Sequence, residues 1–449
     1  MKFPTSPAHY TSFDGGVSLS TLCRRPDRYA FFDEKNSGQR TISRGAGLSY
    51  CAASFSQSSI SIEHAEFNRL LSFSAEDAVL EVEAGVTLGQ IEAFLSPRGF
   101  YLPVQPGHPS ISVGGCIAAD VHGKNQFMDG TFSAHVKKLT LSHPRHGVLK
   151  LSRTEDDVVF KLTCGGYGLT GHILSATLAL KKIQAPFVRL SVSPIDRMES
   201  LPTMLKDAAA RSDLVYTWHD FTARGESFGR GVLTEGRFAS KEECENLTAS
   251  KGRRKDSDLS AHARGSWCAA FFNGTTTPLF NRIFGWAQRR GTHAHFQPLY
   301  DFLFPVHNKE VYFKLFGARG FLECQMIVPV DRYPEFAGRL RKRLNDERIP
   351  VTLASAKLFR GARELLRFSG EGICFALNFP RSTRGIQFAE FLDELLPSVN
   401  GFPNIIKDSR LPRSVVEKTY PDCDQFRQRL RAFDSERLCR SELSERLGL

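Results

Sequence analysis

No apolar run in this chain approaches the roughly 20 residues that a membrane-spanning helix needs, so no spanning segment is expected. The opening residues, MKFPTSPAHYTSFDGG, lack the basic and apolar regions of a secretory signal, and a start in the cytoplasm is expected. The ten cysteines form no C-x-x-C pair, which argues for reduced thiols and against a zinc site or a disulfide framework, so no metal is expected. The glycine-rich stretches are not arranged as a G-x-G-x-x-G turn opening a βαβ unit, which disfavours the dinucleotide fold of the dehydrogenases. No internal repeat is present. Hydrophobic residues at 41% and charged residues at 24% exclude both disorder and a fibrous chain, and 449 residues imply about two to three domains.

The formal net charge of +11 admits nucleic acid, an anionic membrane surface or an acidic substrate as partner. Basic residues cluster at 251–255, at Arg289 and Arg290, at 339–343 and beyond 410, without the interleaved aromatics of a nucleic-acid reader. No nucleic acid is expected, and a peripheral membrane or phosphate-bearing partner is preferred. Each cluster also has the plain reading of a solvated face.

What is present is organised around residues 106–125, PGHPSISVGGCIAADVHGKN. Gly114 and Gly115 leave room for backbone N–H groups to approach an anion, as a pyrophosphate cradle requires. Asp120, His122, Lys124 and Asn125 follow within six positions, too polar for an ordinary core segment. The plain alternative is a simple Gly-Gly turn. In chain order, TISRGAGLSY at 41–50 ends a β-rich start in a glycine turn, and AVLEVEA at 78–84 alternates as a half-buried strand. Thr87 caps a helix stopped by Pro97 and Gly99. Residues 136–141 and 147–151 read as a hairpin, and TCGGYGLTG at 163–171 is a third glycine loop leading into a strand. Composition changes near Pro186; beyond it FLECQMIVPV at 321–330 and GICFALNFP at 372–380 read as buried strands around a basic helix at 333–345. Residues 250–265 read as a mobile loop, possible as a flap, and NIIK at 404–407 reads as a strand end before a charged turn.

With these motifs assembled, RGAGLSY, the 106–125 stretch and GGYGLTG resemble the FAD-binding (PCMH-type) domain of the vanillyl-alcohol oxidase superfamily. HGKN at 122–125, GLTG at 168–171, Trp218, CQMIVP, ICFALNFP and KDSR at 407–410 resemble, within it, the decaprenylphosphoryl-β-D-ribose 2'-oxidase family. The resemblance implies a two-domain α+β flavoprotein, with an FAD-binding domain at 1–186, a substrate domain of antiparallel sheet and helices at 187–401, and a segment at 402–449 returning to the first domain. It further implies oxidation of the 2'-hydroxyl of a polyprenylphosphoryl ribose to a keto sugar, as one half of an epimerase supplying an arabinose donor for cell-wall or surface polysaccharide. A separate NAD-dependent short-chain reductase would be the other half, and the site of action would be the inner-membrane surface.

Carried over onto this chain, the resemblance implies that Ser43, Arg44, Gly45, Ala46, Gly47, Leu48, Ser49, Tyr50, Cys51, Ala52 and Ala53 surround FAD. They would be joined by Gly107, Ser112, Val113, Gly114, Gly115, Ala119, Asp120, Val121, His122, Gly123 and Asn125, with Gly168, Gly171, Ile173 and Asn404 completing the cofactor site. Leu48 and His108 occupy the two positions at which superfamily members attach FAD through histidine or cysteine, so non-covalent FAD is expected. The substrate pocket would contain Lys124, Trp218, Glu323, Gln325, Lys357 and Cys374 beside Tyr50, His122 and Lys407; Trp218 and Cys374 also suit an ordinary core. Glu323 departs from the glutamine of the family's pattern and puts the exact substrate in question.

Oxidising a secondary alcohol needs a hydride acceptor and a proton acceptor. A buried Lys407 of lowered pKa is the expected catalytic base, with His122 and Tyr50 orienting the substrate, Lys124 contacting phosphate or flavin, and His122 the alternative base. An aldonolactone or alditol oxidase is the other enzymatic reading, and a non-catalytic basic surface-binding protein with a flavin fold is the reading of another class.

Overall fold

The computed structural model describes residues 4–27, 38–155, 157–245, 268–290, 294–307 and 309–449. The loop expected at 250–265 lies outside them. Three sheets carry the architecture. In the first, β1 (Ser6–Thr11) and β2 (Ser18–Arg24) form a hairpin, and β3 (Thr41–Arg44) and β4 (Ile60–Glu63) run parallel to each other, in the order β1-β2-β4-β3.

The second sheet is antiparallel, with β5 (Leu70–Ser74), β6 (Val79–Glu83), β8 (Val136–His143), β9 (Gly147–Ser152) and β10 (His172–Ala179) in the order β5-β6-β10-β8-β9. A two-residue pairing of β7 (Phe100–Tyr101) with β11 (Lys181–Lys182) lies beside it. Two short helices follow β6. Helix α1 (Leu88–Leu95) starts at Thr87, whose hydroxyl accepts from the N–H of Gln90 while the Gln90 side chain returns to the Thr87 backbone, a capping box. Helix α2 (Val113–Ala118) starts at Ser112, which accepts from the N–H of Gly115.

The third sheet has eight antiparallel strands: β12 (Phe187–Ile195), β13 (Leu214–His219), β14 (Gly231–Phe238), β15 (His295–Pro298), β16 (Phe321–Val328), β17 (Leu353–Phe359), β18 (Gly372–Pro380) and β19 (Phe402–Pro403). Their order is β15-β12-β14-β13-β17-β18-β16-β19. Side chains alternate across it. Cys324, Met326 and Val328 of β16, Ala354 and Ala356 of β17, and Phe375 and Leu377 of β18 share one core with helices α3 (Leu201–Arg211), α5 (Tyr333–Glu347) and α6 (Thr383–Ser398). The intervening residues, Glu323, Gln325, Lys357 and Cys374 among them, therefore point to the opposite face, towards the glycine loops. Helix α4 (Thr276–Arg290) lies against β12 and β14.

Beyond β19 the chain leaves the sheet and forms α7 (Arg413–Thr419), α8 (Cys423–Phe433) and α9 (Glu442–Leu447). Val416, Phe426 and Leu443 pack with Ile42, Cys51 and Leu162 of the N-terminal region. Backbone bonds from Thr41 N–H to Leu438 and from Leu443 N–H to Ala52 fasten this segment to the first sheet and the loop that follows it.

Candidate active site

The three glycine loops converge because backbone bonds stitch them to common supports. Gly114 N–H donates to Ala84 and Val113 N–H to Val86, which holds the second loop against the end of β6; Gly165 N–H donates to Ile117 and Tyr167 N–H to Ala118, which ties the third loop to α2. The first loop is fixed at its start by Ser43, whose hydroxyl lies 2.7 Å from His172 Nδ1 on β10. Between them runs an open cleft with a cavity volume of about 200 Å³.

Its lining includes Ser43, residues 45–50, Ala53, Ser112, Gly114, Gly115, Ala119, Val121, Gly168, Gly171, Ile173 and Lys407 from the sequence reading. The cleft suits a flavin dinucleotide. The N–H groups of residues 46–50 donate to no acceptor among the described residues, leaving a row of donors for a pyrophosphate. A Cβ at Gly45 would overlap the Ser112 hydroxyl across the cleft, so the two loops approach as closely as they do only with glycine there.

Other expected cofactor residues do not line it. Arg44 lies over the Tyr10 ring at 3.9 Å and donates to Ser54, while Cys51, Ala52 and Val113 are core residues. Asp120 is buried and accepts from the Thr131 hydroxyl and Ser133 N–H, both at 2.8 Å, with Arg367 Nε at 3.8 Å. Asn125 donates to the Pro103 carbonyl at 2.6 Å and to Asp129 at 2.7 Å. Gly123 packs against the Asn125 side chain and Gln105, and Gly107 is outside the lining. Sequence reading missed Ser54, His64, Ala84, Pro106, Ile111, Ala118, Tyr167 and Ile406, all of which line the cleft. Ala118 and Tyr167 lie inside the quoted motifs; His64 carries no local signal.

At one end of the cleft the first loop meets the eight-stranded sheet. Lys407 lies in a single 3₁₀ turn, Ile405–Lys407, and not at a strand end, because the Asn404 side chain accepts from Ile406 N–H and starts the turn. Its ammonium is 2.9 Å from Glu323 Oε1 and 3.7 Å from the centre of the Tyr50 ring. Tyr50 is half-buried at the cleft wall; burial and then the Glu323 charge hold its hydroxyl well above the usual phenol value. Lys407 is therefore an ion-paired, partly exposed lysine, which corrects the expectation of a buried amine.

His122 does not reach the cleft. Its Nδ1 is 3.4 Å from the Gly123 carbonyl, which can only accept, so Nδ1 carries the proton, and a bond with the Gln325 side chain also favours the protonated ring. Gln325 in turn accepts at Oε1 from Asn404 Nδ2 at 2.5 Å. Burial and then the Lys357 charge push His122 down to about 3, and its ring packs edge-on against Phe359 at 4.8 Å. The imidazole is therefore neutral at ordinary pH. Lys357 stands directly across the β17–β18 pair from Cys374. Its pKa is lowered by burial and by Lys407, against the pull of Cys374 and Glu323, and burial pushes the Cys374 thiol up to about 12, an unreactive thiol at neutral pH.

Lys124 is placed differently from expectation. Its Nζ donates to the Leu303 carbonyl at 2.9 Å, 5.2 Å from the centre of the Phe302 ring, and burial followed by Lys357 brings its pKa down to about 7. It lies outside the cleft lining. Trp218 sits on the same sheet face and packs on Phe284 of α4 at 4.9 Å. Among the described residues, one trio, His143, Asp434 and Cys439, brings metal-ligand atoms within 4.8 Å of one another, but none of the three lines the cleft.

Residues 33–152 match the FAD binding domain family. The chain is 27% identical to decaprenylphosphoryl-beta-D-ribose oxidase of Mycolicibacterium smegmatis over 92% of this chain and 90% of that protein. It is 26% identical to a Streptomyces coelicolor protein described as uncharacterized, in the mprA 5' region, over 81% of this chain and all of that protein. A likeness of 25% to D-lactate dehydrogenase [cytochrome] 1 of Saccharomyces cerevisiae covers only 34% of this chain and 25% of that enzyme.

Proposed function

The chain is an FAD-dependent oxidoreductase of the flavoprotein family that contains decaprenylphosphoryl-β-D-ribose oxidase, and from that premise we propose that it oxidises the 2'-hydroxyl of a polyprenylphosphoryl ribose, or a closely similar lipid-linked sugar phosphate, to a ketone. The observation that carries the substrate class is the excess of cations on the sheet face. Lys124 and Lys357 have no carboxylate within ion-pair distance among the described residues, and the Lys357 charge lowers the proton affinity of Lys124 as Lys407 lowers that of Lys357. Buried cations without anions are costly, and a phosphate ligand supplies the missing charge. In this reading the oxidase is one half of an epimerase, a separate NAD-dependent reductase completes it, and both work at the cytoplasmic surface of the inner membrane.

Oxidation removes a hydride from the carbinol carbon and a proton from its oxygen; bound FAD supplies the hydride acceptor. Lys407, the one lysine lining the cleft among the described residues, takes the hydroxyl proton as the neutral amine, its own proton having passed to the Glu323 carboxylate 2.9 Å away. Tyr50 fixes the ammonium from below. In this reading the sugar extends beyond the lined cleft to the sheet face, where Gln325, held by Asn404, and His122 beside it orient it.

The test is anaerobic mixing with a ribosyl polyprenyl phosphate, its dephosphorylated alkyl riboside, an aldonolactone and an alditol. Rapid flavin bleaching is expected with the first alone; faster bleaching by the lactone or the alditol would transfer the chain to the other class of sugar oxidase.

Two further outcomes are expected. Leu48 and His108 offer no attachment chemistry of the kind the superfamily uses, and His108 is outside the cleft, with Nδ1 accepting from Ser110 N–H at 3.1 Å. Acid precipitation should therefore release all FAD into the supernatant, and yellow colour in the pellet would contradict this. Because His122 titrates near 3, the rate of flavin reduction should show no break near histidine's ordinary value of 6.5. A break there that vanishes in His122→Gln would overturn the assignment.

A further inference from the structure

Helix α4 is apolar on the side that faces away from the protein. Asn281 and Thr277 mark its inner side, where Asn281 Nδ2 donates to the Val351 carbonyl at 2.9 Å. Half a turn away, at the i, i+4 and i+7 positions that share one face, stand Leu279, Ile283 and Trp286, exposed by 60%, 58% and 56%. A surface helix ordinarily turns polar residues to water, and large contiguous apolar patches on a monomer mark contact sites. The same helix contains no acidic residue and carries Arg282, Arg289 and Arg290. Arg289 is committed to Asp196 at 3.1 Å and to the Ile195 carbonyl; Arg282 is exposed, and Arg290 Cζ lies over the Trp286 ring, 3.9 Å from its centre. On its inner side α4 touches Trp218, through Phe284 and through Gly285, where an added Cβ would come 3.0 Å from the indole.

We propose that the outer face of α4 is a docking surface for an anionic lipid bilayer, in which Leu279, Ile283 and Trp286 enter the interfacial layer and Arg282 and Arg290 meet lipid phosphates. An exposed tryptophan flanked by arginines on a helix that carries no acidic residue has the chemistry of a helix lying in the membrane plane. A protein partner of ordinary composition would leave these arginines to find carboxylates; a lipid phosphate layer provides anions at every point. No described helix is long and apolar enough to cross a membrane, so docking of this kind lies on the surface. The proposal rests on the lipid-linked substrate reading for its purpose: the sheet face bearing Trp218 is brought to where the lipid chain resides.

The experiment uses flavin-loaded full-length protein without substrate, sedimented with vesicles of phosphatidylcholine alone or with about 30% phosphatidylglycerol, and follows tryptophan emission. Binding to anionic vesicles with a blue shift is expected, weakened by salt, and Leu279→Glu or Ile283→Glu should each lower the partition coefficient on the order of tenfold. Both variants should keep wild-type flavin content and wild-type turnover of a short-chain, soluble ribosyl phosphate. Wild-type vesicle binding by both variants would overturn the proposal, as would a wild-type dimer that the variants convert to monomer while vesicle binding is absent, which would make this face a contact between copies. Failure of short-chain turnover with vesicle binding intact would instead fall on the substrate reading.

Discussion

Gly115→Asp protein is expected to purify colourless, with flavin affinity lowered by about a thousandfold. Gly115 lines the cleft beside Gly114, and an added Cβ would lie 3.3 Å from the Ser112 hydroxyl, so a side chain there needs Ser112 to give by a few tenths of an ångström and then stands at the cleft wall. A carboxylate there competes with the pyrophosphate for the N–H groups of the cradle and repels it. Two unit charges about 4 Å apart near a protein surface interact by about 4 kcal/mol, close to three decades in affinity. Gly115→Ala separates charge from volume: its methyl group asks only a small shift of Ser112, and it should retain most of its flavin. The ratio of flavin to protein absorbance in the purified variants is the measurement. Wild-type occupancy in Gly115→Asp would show that the phosphates lie elsewhere.

The parts of the site that were readable from sequence are those whose chemistry is local. A backbone that must approach an anion demands glycine and small residues in a row, and residues 45–47, 112–115 and 165–171 carry that demand wherever they occur. Strand alternation is local too, which is why GICFALNFP already reads as a buried strand before its register with β16 and β17 is known. What alternation alone does not say is which face receives Lys357 and Cys374; that follows from three helices covering the other face, a consequence of packing across more than a hundred residues. Asp120 and Asn125 misled for the same reason. Both stand in a polar run next to the glycines, yet their partners are Thr131, Ser133 and Arg367 for the first and Pro103 and Asp129 for the second, and no pattern within the run points to those residues. The strand expected at NIIK failed on one side chain. Two isoleucines favour an extended chain, but Asn404 satisfies the Ile406 N–H itself and turns the backbone, which aims Lys407 into the cleft.

That turn makes the second large effect a test of both geometry and mechanism. Lys407→Ala should slow flavin reduction by substrate by a hundredfold or more, roughly 2.7 kcal/mol, the scale for losing a positioned proton acceptor, while FAD stays bound because its phosphates meet backbone groups remote from residue 407. Removing the lysine also leaves the buried Glu323 carboxylate without its ion-pair partner, a cost that by itself could distort the site. The double variant Lys407→Ala/Glu323→Gln removes that charge, so a loss that persists in it belongs to the missing amine and not to the stranded acid. Glu323→Gln alone keeps the amine and restores the residue type expected from the family's pattern; it should stay within about tenfold of wild type. The histidine alternative predicts another ranking. His122 is neutral, but it stands outside the cleft lining, so it takes the proton only from a hydroxyl that reaches beyond the cleft. If stopped-flow reduction by a ribosyl polyprenyl phosphate runs at the wild-type rate in Lys407→Ala and collapses in His122→Ala, the two residues exchange roles, with Lys407 holding the substrate and His122 accepting its proton.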